Sequence, residues 1–208
     1  MIQYEILLVK TVMKRSSLLL LLLVAAAVLS SGCPLLKTPL DDIPPHITQA
    51  NNALTGLNII EGKSNTFALD DEIMAIDLLF VEMEEIEVAE DDEETIARYA
   101  AYRTWTESLR TASRIISNDY DSYQTHLRRA EQQYDAFNYI LYRDEMNKAE
   151  KLLQQMEDDA LSAAYSLDSI PDSLFSQREV HELHRTRALL MDLHRQCTIL
   201  RQEHARAI

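Results

Sequence analysis

The segment that decides the fold class runs from Tyr123 to Leu141 and reads YQTHLRRAEQQYDAFNYIL. Its apolar residues recur at alternating steps of four and three, the spacing that places side chains on one face of an α-helix. Helices that carry such a seam pack against one another at a shallow angle. The pattern therefore predicts an all-α protein built from long helices. The seam residues are Tyr123, Leu127, Ala130, Tyr134, Phe137 and Leu141.

The apolar period continues from this segment toward the C-terminus. A shifted seam runs from Met146 to Leu167, and no helix-breaking residue occurs before Ile170 and Pro171. This predicts one helix of about 50 residues, roughly 75 Å long. Beyond the proline, Ser176 and Glu179 have the spacing of a capping box, which predicts a final helix that runs nearly to the C-terminus.

Upstream of the seam, the sequence predicts a short helix followed by a long one. A first apolar period covers residues 46–61 and stops at Gly62, a residue typical of the position just past a helix end. A second period covers residues 70–116. The acidic run at 90–94 contains neither glycine nor proline, so it predicts a continuous or softly kinked helix rather than a true turn. The residues from Ser117 to Asp119 supply turn chemistry at the far end.

Three long helices joined by short turns are expected to lie antiparallel. The predicted fold is thus an elongated antiparallel bundle of three long helices plus a short N-terminal helix. An α-solenoid of helix pairs is the alternative, although no repeat with a 34-residue period recurs along the chain. No segment has the alternating pattern of a β-strand.

The composition narrows the possible classes of protein and partner. Of the 208 residues, 47% are apolar and 26% are charged, the ordinary balance of a globular protein. Glycine occurs 3 times and proline 5 times, so turn-rich all-β folds and glycine-cradled nucleotide sites are poorly supported. The net charge of −14 argues against nucleic acid as a partner, because binding phosphates requires clustered cations.

The N-terminus has the three parts of a signal peptide. Two basic residues follow Met13 and precede an uninterrupted apolar run from Leu18 to Leu29, which is closed by small residues and Cys33. A helix of that run is about 18 Å long, short of the roughly 30 Å hydrocarbon core, so cleavage is expected rather than a membrane span. Because the signal is complete from Met13, translation is expected to start there rather than at Met1.

Residues 13–33 resemble the lipobox segment of prokaryotic membrane lipoproteins. The resemblance departs from the family at one position, since a leucine is usual three residues before the cysteine and Ser30 stands there, with Leu29 one position further back. It implies that Cys33 is diacylated and becomes the first residue of the mature chain. The protein would then be anchored to a cell membrane and face outside the cytoplasm. Two acyl chains suffice for stable anchoring.

The sequence accordingly predicts three segments. Residues 1–32 are a signal peptide, residues 33–45 are the lipidated cysteine and a proline-rich tether, and residues 46–208 are a single helical domain. Lipidation of Cys33 would leave Cys197 without a disulfide partner. The fold is therefore expected to depend on its hydrophobic core.

The last predicted helix contains the candidate metal ligands. His194 lies three positions before Cys197, a spacing that can place an imidazole and a thiolate on one helix face. A closed site would still lack two ligands, and the histidines of the segment His181–His184 are not four apart as in zinc proteases. No metal or other cofactor is therefore expected. Cys197 occupies a seam position and is interpreted as a small buried hydrophobe.

Two further features have competing interpretations. Tyr99, Tyr102 and Trp105 are candidates for a partner surface, or they are the half-buried aromatics of a thin bundle. Residues 70–94 contain 13 acidic side chains and no lysine or arginine. This acidic segment is expected to pair with the arginines of the last helix. The alternatives are a solvated helix face, or a surface for a divalent cation or a basic partner.

The sequence contains no recognisable catalytic constellation, so we do not expect an enzyme. The leading expectation is a lipid-anchored helical protein outside the cytoplasm that acts as an interaction or scaffold module of an envelope assembly, with a protein partner. The alternative is an accessory lipoprotein that binds a ligand through the tyrosine-rich face or a metal through the histidine-rich last helix.

Overall fold

The structure, a computed structural model, describes residues 38–86 and 92–207. This part of the chain contains six α-helices and no β-strand, which confirms the all-α fold class. The predicted signal peptide, the lipobox and Cys33 lie outside the described residues. The helices are α1 (Ile43–Thr55), α2 (Phe67–Glu84), α3 (Glu93–Arg114), α4 (Tyr120–Asp135), α5 (Tyr139–Leu167) and α6 (Gln177–Ala207).

The chain joins the core earlier than the sequence predicts. Residues Pro39–Asp42 form a 3-10 turn, and Leu40 and Ile43 are at most 1% exposed. Pro44 and Pro45 lie in the first turn of α1, where a missing backbone N–H breaks no helical hydrogen bond. The predicted proline-rich tether, 33–45, is therefore wrong for residues 39–45. Its first residues, 33–37, lie outside the described part of the chain.

Helices α2 and α3 are antiparallel neighbours, so the prediction of one continuous or softly kinked helix over 70–116 is wrong. The rings of Phe80 and Tyr99 meet edge to face with centroids 5.4 Å apart. Further along, both carboxylate oxygens of Asp77 accept hydrogen bonds from Arg110 at 2.8 Å. Rising residue numbers on α2 thus meet falling numbers on α3, which requires the chain to reverse direction between them.

The start of α3 has a local cause that lies within the acidic run. The side chain of Asp92 accepts a hydrogen bond from the backbone N–H of Thr95 at 3.1 Å and caps the helix. Hydrogen bonding to Thr95 holds the pKa of Asp92 below its ordinary value. Glu93 and Glu94 follow in the first turn, where the helix dipole favours negative charge. Residues 92–94 therefore form a helix start, and α2 ends at Glu84 without a glycine or proline.

The predicted turn at Ser117–Asp119 is also wrong. One π-helical turn, Ile115–Asp119, joins α3 to α4, so the chain is helical from residue 93 to residue 135. Ile115 and Ile116, at the start of this turn, are both buried in the core. The hydroxyl of Ser117 donates to the carbonyl of Ser113 at 2.8 Å, so it bonds within the helix instead of ending it.

The predicted 50-residue helix is interrupted between α4 and α5. Phe137 has a positive φ of 60°, and the N–H of Asn138 donates to the carbonyl of Gln133 at 2.8 Å, as in a helix C-cap motif. Asn138 then caps α5, because its side-chain oxygen accepts from the N–H of Leu141 at 3.4 Å. The helix break therefore consists of Phe137 in a left-handed backbone conformation followed by the capping residue Asn138. The apolar residues predicted as one seam lie on both sides of this break.

Replacing Phe137 with glycine is expected to raise the free energy of unfolding by about 0.5–1 kcal/mol. An L-residue in the left-handed region costs roughly 1–2 kcal/mol that glycine does not, which exceeds the entropy that glycine adds to the unfolded chain. The Phe137 side chain is 79% exposed, so little burial is lost. Urea unfolding followed by circular dichroism measures the change.

Ala136→Gly, at an ordinary φ of −81°, is the control and is expected to destabilise the protein. A destabilised Phe137→Gly chain would contradict the prediction.

The described part of the chain thus contains three long helical stretches, residues 93–135, 139–167 and 177–207. Helices α5 and α6 are antiparallel: His204 Nε2 lies 3.1 Å from the carbonyl of Met146 near one end, and Arg187 pairs with Asp168 at the other. The predicted antiparallel bundle is confirmed, with shifted helix boundaries. None of the helices in the described ranges is both long enough and apolar enough to cross a membrane.

Candidate functional site

Two of the three aromatic residues predicted as a partner surface lie in the core. Tyr102 and Trp105 are both 0% exposed, and their rings stack on each other with centroids 6.3 Å apart. Tyr99 is partly buried, and its hydroxyl donates to Glu84 at 2.8 Å. The prediction of a surface built from these three residues is therefore wrong for Tyr102 and Trp105. Their helical spacing reflects packing, as the alternative interpretation held.

Trp105 belongs to a buried polar network that joins three helices. Its Nε1–H donates to the hydroxyl of Thr186 on α6 at 2.8 Å. That hydroxyl lies 2.7 Å from Oδ1 of Asn51 on α1, to which it donates. The amide nitrogen of Asn51 donates in turn to the carboxylate of Glu182 at 2.8 Å. Because each buried polar group has a partner, the network sets the register of α1, α3 and α6.

A second polar cluster lies beside Tyr102. Its hydroxyl donates to Glu179, and Arg98 lies 3.8 Å from the same carboxylate. Burial raises the pKa of Tyr102, and the hydrogen bond to Glu179 raises it further. Burial opposes ionisation of Glu179, but hydrogen bonds from Ser176 and Tyr102, together with Arg98, outweigh it and lower the pKa of this carboxyl. The negative charge of Glu179 is thus balanced by Arg98 within the bundle, so this cluster stabilises the fold.

The candidate metal ligands on α6 are engaged within the fold. Cys197 is completely buried, and burial together with nearby Glu157 raises the pKa of its thiol to about 12. The Nδ1–H of His194 donates to the backbone carbonyl of Glu157 at 3.1 Å. In the described ranges, no group of three or more histidine, cysteine, aspartate or glutamate side chains is placed to hold a metal ion.

The thiol of Cys197 is expected to react with a maleimide at pH 8 at least about a hundredfold more slowly in the folded chain than in urea. The nucleophile is the thiolate, which is scarce at a pKa of about 12. The measurement uses Cys33→Ala, which leaves Cys197 as the only thiol. As control, Arg195→Cys in a Cys33→Ala, Cys197→Ala chain presents a thiol at an exposed position. Rapid labelling of the folded Cys197 would refute the buried assignment.

In its described parts, residues 70–86 and 92–94, the acidic segment forms no ion pair with α6, contrary to the prediction. Within the described residues, Asp77 and Glu84 of α2 form ion pairs with Arg110 and Arg103 of α3. The reversal between α2 and α3, which sequence periodicity missed, brings these charges together. Two arginines of α6 pair with carboxylates of α5 and of the residue just after it, Arg201 with Glu157 and Arg187 with Asp168. Arg185 and Arg195 pair with carboxylates of α6 itself.

Helix α2 is apolar on two faces. One face packs in the core through residues such as Ile73, Ile76 and Phe80. The other face bears four side chains that are 54–76% exposed, which we call the α2 stripe. Contiguous exposed apolar residues are less common on a protein surface than single ones, so the stripe is a candidate interaction surface. The α2 stripe consists of Phe67, Met74, Leu78 and Val81.

A polar cleft adjoins the α2 stripe at Val81. The cleft has a volume of about 830 Å³ and lies over α3, with α2 on one side and α5 on the other. Its three arginines are already paired: Arg114, for example, donates to Asp159 at 2.6 Å. On the α5 side the lining residues are small, including Ser162 and Ala163. Because its arginines are paired, the cations of the cleft are not available for a free anion.

A second exposed apolar cluster lies at the turn between α4 and α5. Exposed Asp135 and Arg143 flank it, so the cluster has no single sign of charge. The cluster comprises Tyr134, Phe137, Tyr139, Ile140 and Leu141.

Comparisons with protein-family models, with curated proteins and with solved structures find no match to this chain.

Proposed function

We propose that this protein is a lipid-anchored helical protein outside the cytoplasm that acts as a non-catalytic interaction module of an envelope assembly. The observation that carries the interaction role is the α2 stripe, an apolar surface on the opposite side of α2 from the core. The anchor is proposed from Cys33, at the end of the lipobox-like segment 13–33.

The polar groups of the described bundle support a structural rather than a catalytic role. The polar groups of the Asn51–Thr186–Trp105 network hydrogen-bond to one another inside the bundle. Tyr102 and Glu179 likewise hydrogen-bond to each other. A catalytic base or nucleophile must reach a substrate, which buried and mutually bonded groups do not. The α2 stripe, in contrast, is exposed and apolar, the usual property of a protein-binding surface.

The anchor is tested by replacing Cys33 with alanine. We expect the wild-type protein to sediment with membranes, and the Cys33→Ala protein to appear in the soluble fraction, because two acyl chains supply the membrane affinity. Cys197→Ala is the matched control and is expected to remain with the membrane. Membrane retention of the Cys33→Ala protein would count against lipidation.

The interaction role is tested by photocrosslinking in intact membranes. A photoreactive amino acid in place of Leu78 is expected to crosslink to one discrete partner. The same amino acid in place of Arg195, which is exposed on α6, is the control and is expected to give no such product. A second substitution in the stripe, Val81→Glu, should abolish the product at position 78. Absence of a product at position 78, or equal products at both positions, would overturn the proposed role.

A further inference from the structure

We propose that the α2 stripe receives a cationic amphipathic helix of a partner protein. This inference rests on the proposed function and specifies the chemistry of the partner. It follows from the shape of the stripe, from the charges that flank it, and from the occupants that those charges disfavour.

The geometry of the stripe matches a helix. Phe67, Met74, Leu78 and Val81 are separated by seven, four and three residues, so they form a line along one side of α2. Over 14 residues the line is about 21 Å long, or about four helical turns. Apolar residues at heptad-like spacing form the seam along which two helices pack. The adjoining cleft, about 830 Å³ in volume, opens beside the stripe at Val81.

The flanks of the stripe carry negative charge that the fold does not neutralise. Helix α2 has six acidic residues and no lysine or arginine. Asp71 and Glu82, together with Glu85 just past the helix end, are exposed and form no ion pair within the described residues. The arginines nearest to α2, Arg103 and Arg110, are already paired. A partner with lysine or arginine beside its apolar face would supply the missing charge.

The same charges disfavour two other occupants. In a dimer formed through the α2 stripe, the acidic flanks of two copies would face each other and repel. Anionic lipid headgroups would be repelled in the same way. Charge complementarity therefore selects a basic helix over a second copy of this chain and over an anionic membrane surface.

The inference is tested with a designed peptide and the full protein extracted from its membranes in mild detergent. The probe is an 18-residue peptide of leucine and lysine with leucine at heptad a and d positions and a fluorescent label. A scrambled peptide of the same composition has the same charge but no apolar face. Fluorescence anisotropy gives both affinities at several salt concentrations.

We expect the patterned peptide to bind and the scrambled peptide to bind at least about tenfold more weakly. Leu78→Gln should weaken binding of the patterned peptide by about tenfold or more. Ile140→Gln, an equivalent change in the exposed cluster at the α4–α5 turn, is the matched control and should leave binding unchanged. Glu82→Gln combined with Glu85→Gln should weaken binding and reduce its dependence on salt.

Three results would overturn the inference. The first is equal binding of the two peptides, or equal losses in Leu78→Gln and Ile140→Gln. The second is a dimer, seen by sedimentation, that Leu78→Gln dissociates. The third is Leu78-dependent capture of the protein by vesicles of anionic lipid. Each of these three results is compatible with a discrete crosslinked partner at position 78. Failure of this inference is therefore distinguishable from failure of the proposed function.

Discussion

The Trp105→Ala protein is expected to lose about 3–5 kcal/mol of its free energy of unfolding, the largest loss that we predict for one substitution. Trp105 is fully buried and packs against the rings of Tyr102 and Phe175, with centroids 6.3 and 5.8 Å away. Alanine would leave a cavity between α3 and α6 and would orphan the hydroxyl of Thr186. Because Trp105 is the only tryptophan, urea unfolding must be followed by circular dichroism at 222 nm.

Trp105→Phe is the control for this experiment. Phenylalanine retains most of the buried apolar volume and loses the indole N–H, so its loss should be well below that of alanine. A loss below about 1 kcal/mol for Trp105→Ala would place this side chain outside the core, because buried aromatic truncations cost several times more.

Thr186→Val is expected to lower the free energy of unfolding by about 2–4 kcal/mol. Valine matches the shape of threonine but has no hydroxyl, so two buried groups lose their partner. These are the Nε1–H of Trp105 and the Oδ1 of Asn51, which lie 2.8 and 2.7 Å from the hydroxyl. Each unsatisfied buried group costs roughly 1–3 kcal/mol. Urea unfolding at constant pH measures the change.

The hydroxyl network has its own controls. Thr186→Ser keeps the hydroxyl and should lose clearly less stability than Thr186→Val. In a Trp105→Phe background the indole N–H is already absent, so Thr186→Val should cost less there than in the wild type. Additive losses in this double-mutant cycle would show that the Trp105–Thr186 hydrogen bond contributes nothing to stability.

Both predictions concern the contact of α3 with α6. Trp105 lies on α3 and Thr186 on α6, separated by 81 positions in the sequence. Periodicity places Trp105 on the apolar face of its helix, but it does not reveal which residue meets the indole N–H. The same limit applies to Asn51, a buried polar residue that sequence analysis did not single out. Its partners on α6 are 131–135 positions away.

Sequence periodicity predicted the helical class and failed at the turns. At Ser117–Asp119, turn-forming residues remain helical because Ile115 and Ile116 on one side and Tyr123 on the other are buried in the same core. At Phe137, an apolar seam residue occupies the turn itself and is exposed. Local helix propensity predicts the backbone conformation poorly in both places, because the burial of neighbouring residues decides whether the helix continues.

The candidate surface shows the same division. The acidic and apolar residues of α2 are plain in the sequence, and helical periodicity already places Ile73, Ile76 and Phe80 on one face and leaves Leu78 and Val81 off it. Only the packed structure shows that the first face is buried and that the other apolar residues stay exposed. The separation arises because α1, the Pro39–Asp42 turn and α3 pack against one side of α2.

The sequence by itself determined that this chain is helical and acidic, because helical period and net charge do not depend on tertiary contacts. Only the tertiary structure decided where the helices end, which aromatic residues are buried and which apolar face stays exposed. These outcomes depend on contacts between residues far apart in the chain. The free energy of burial that selects among them is a property of the packed bundle, not of any one segment.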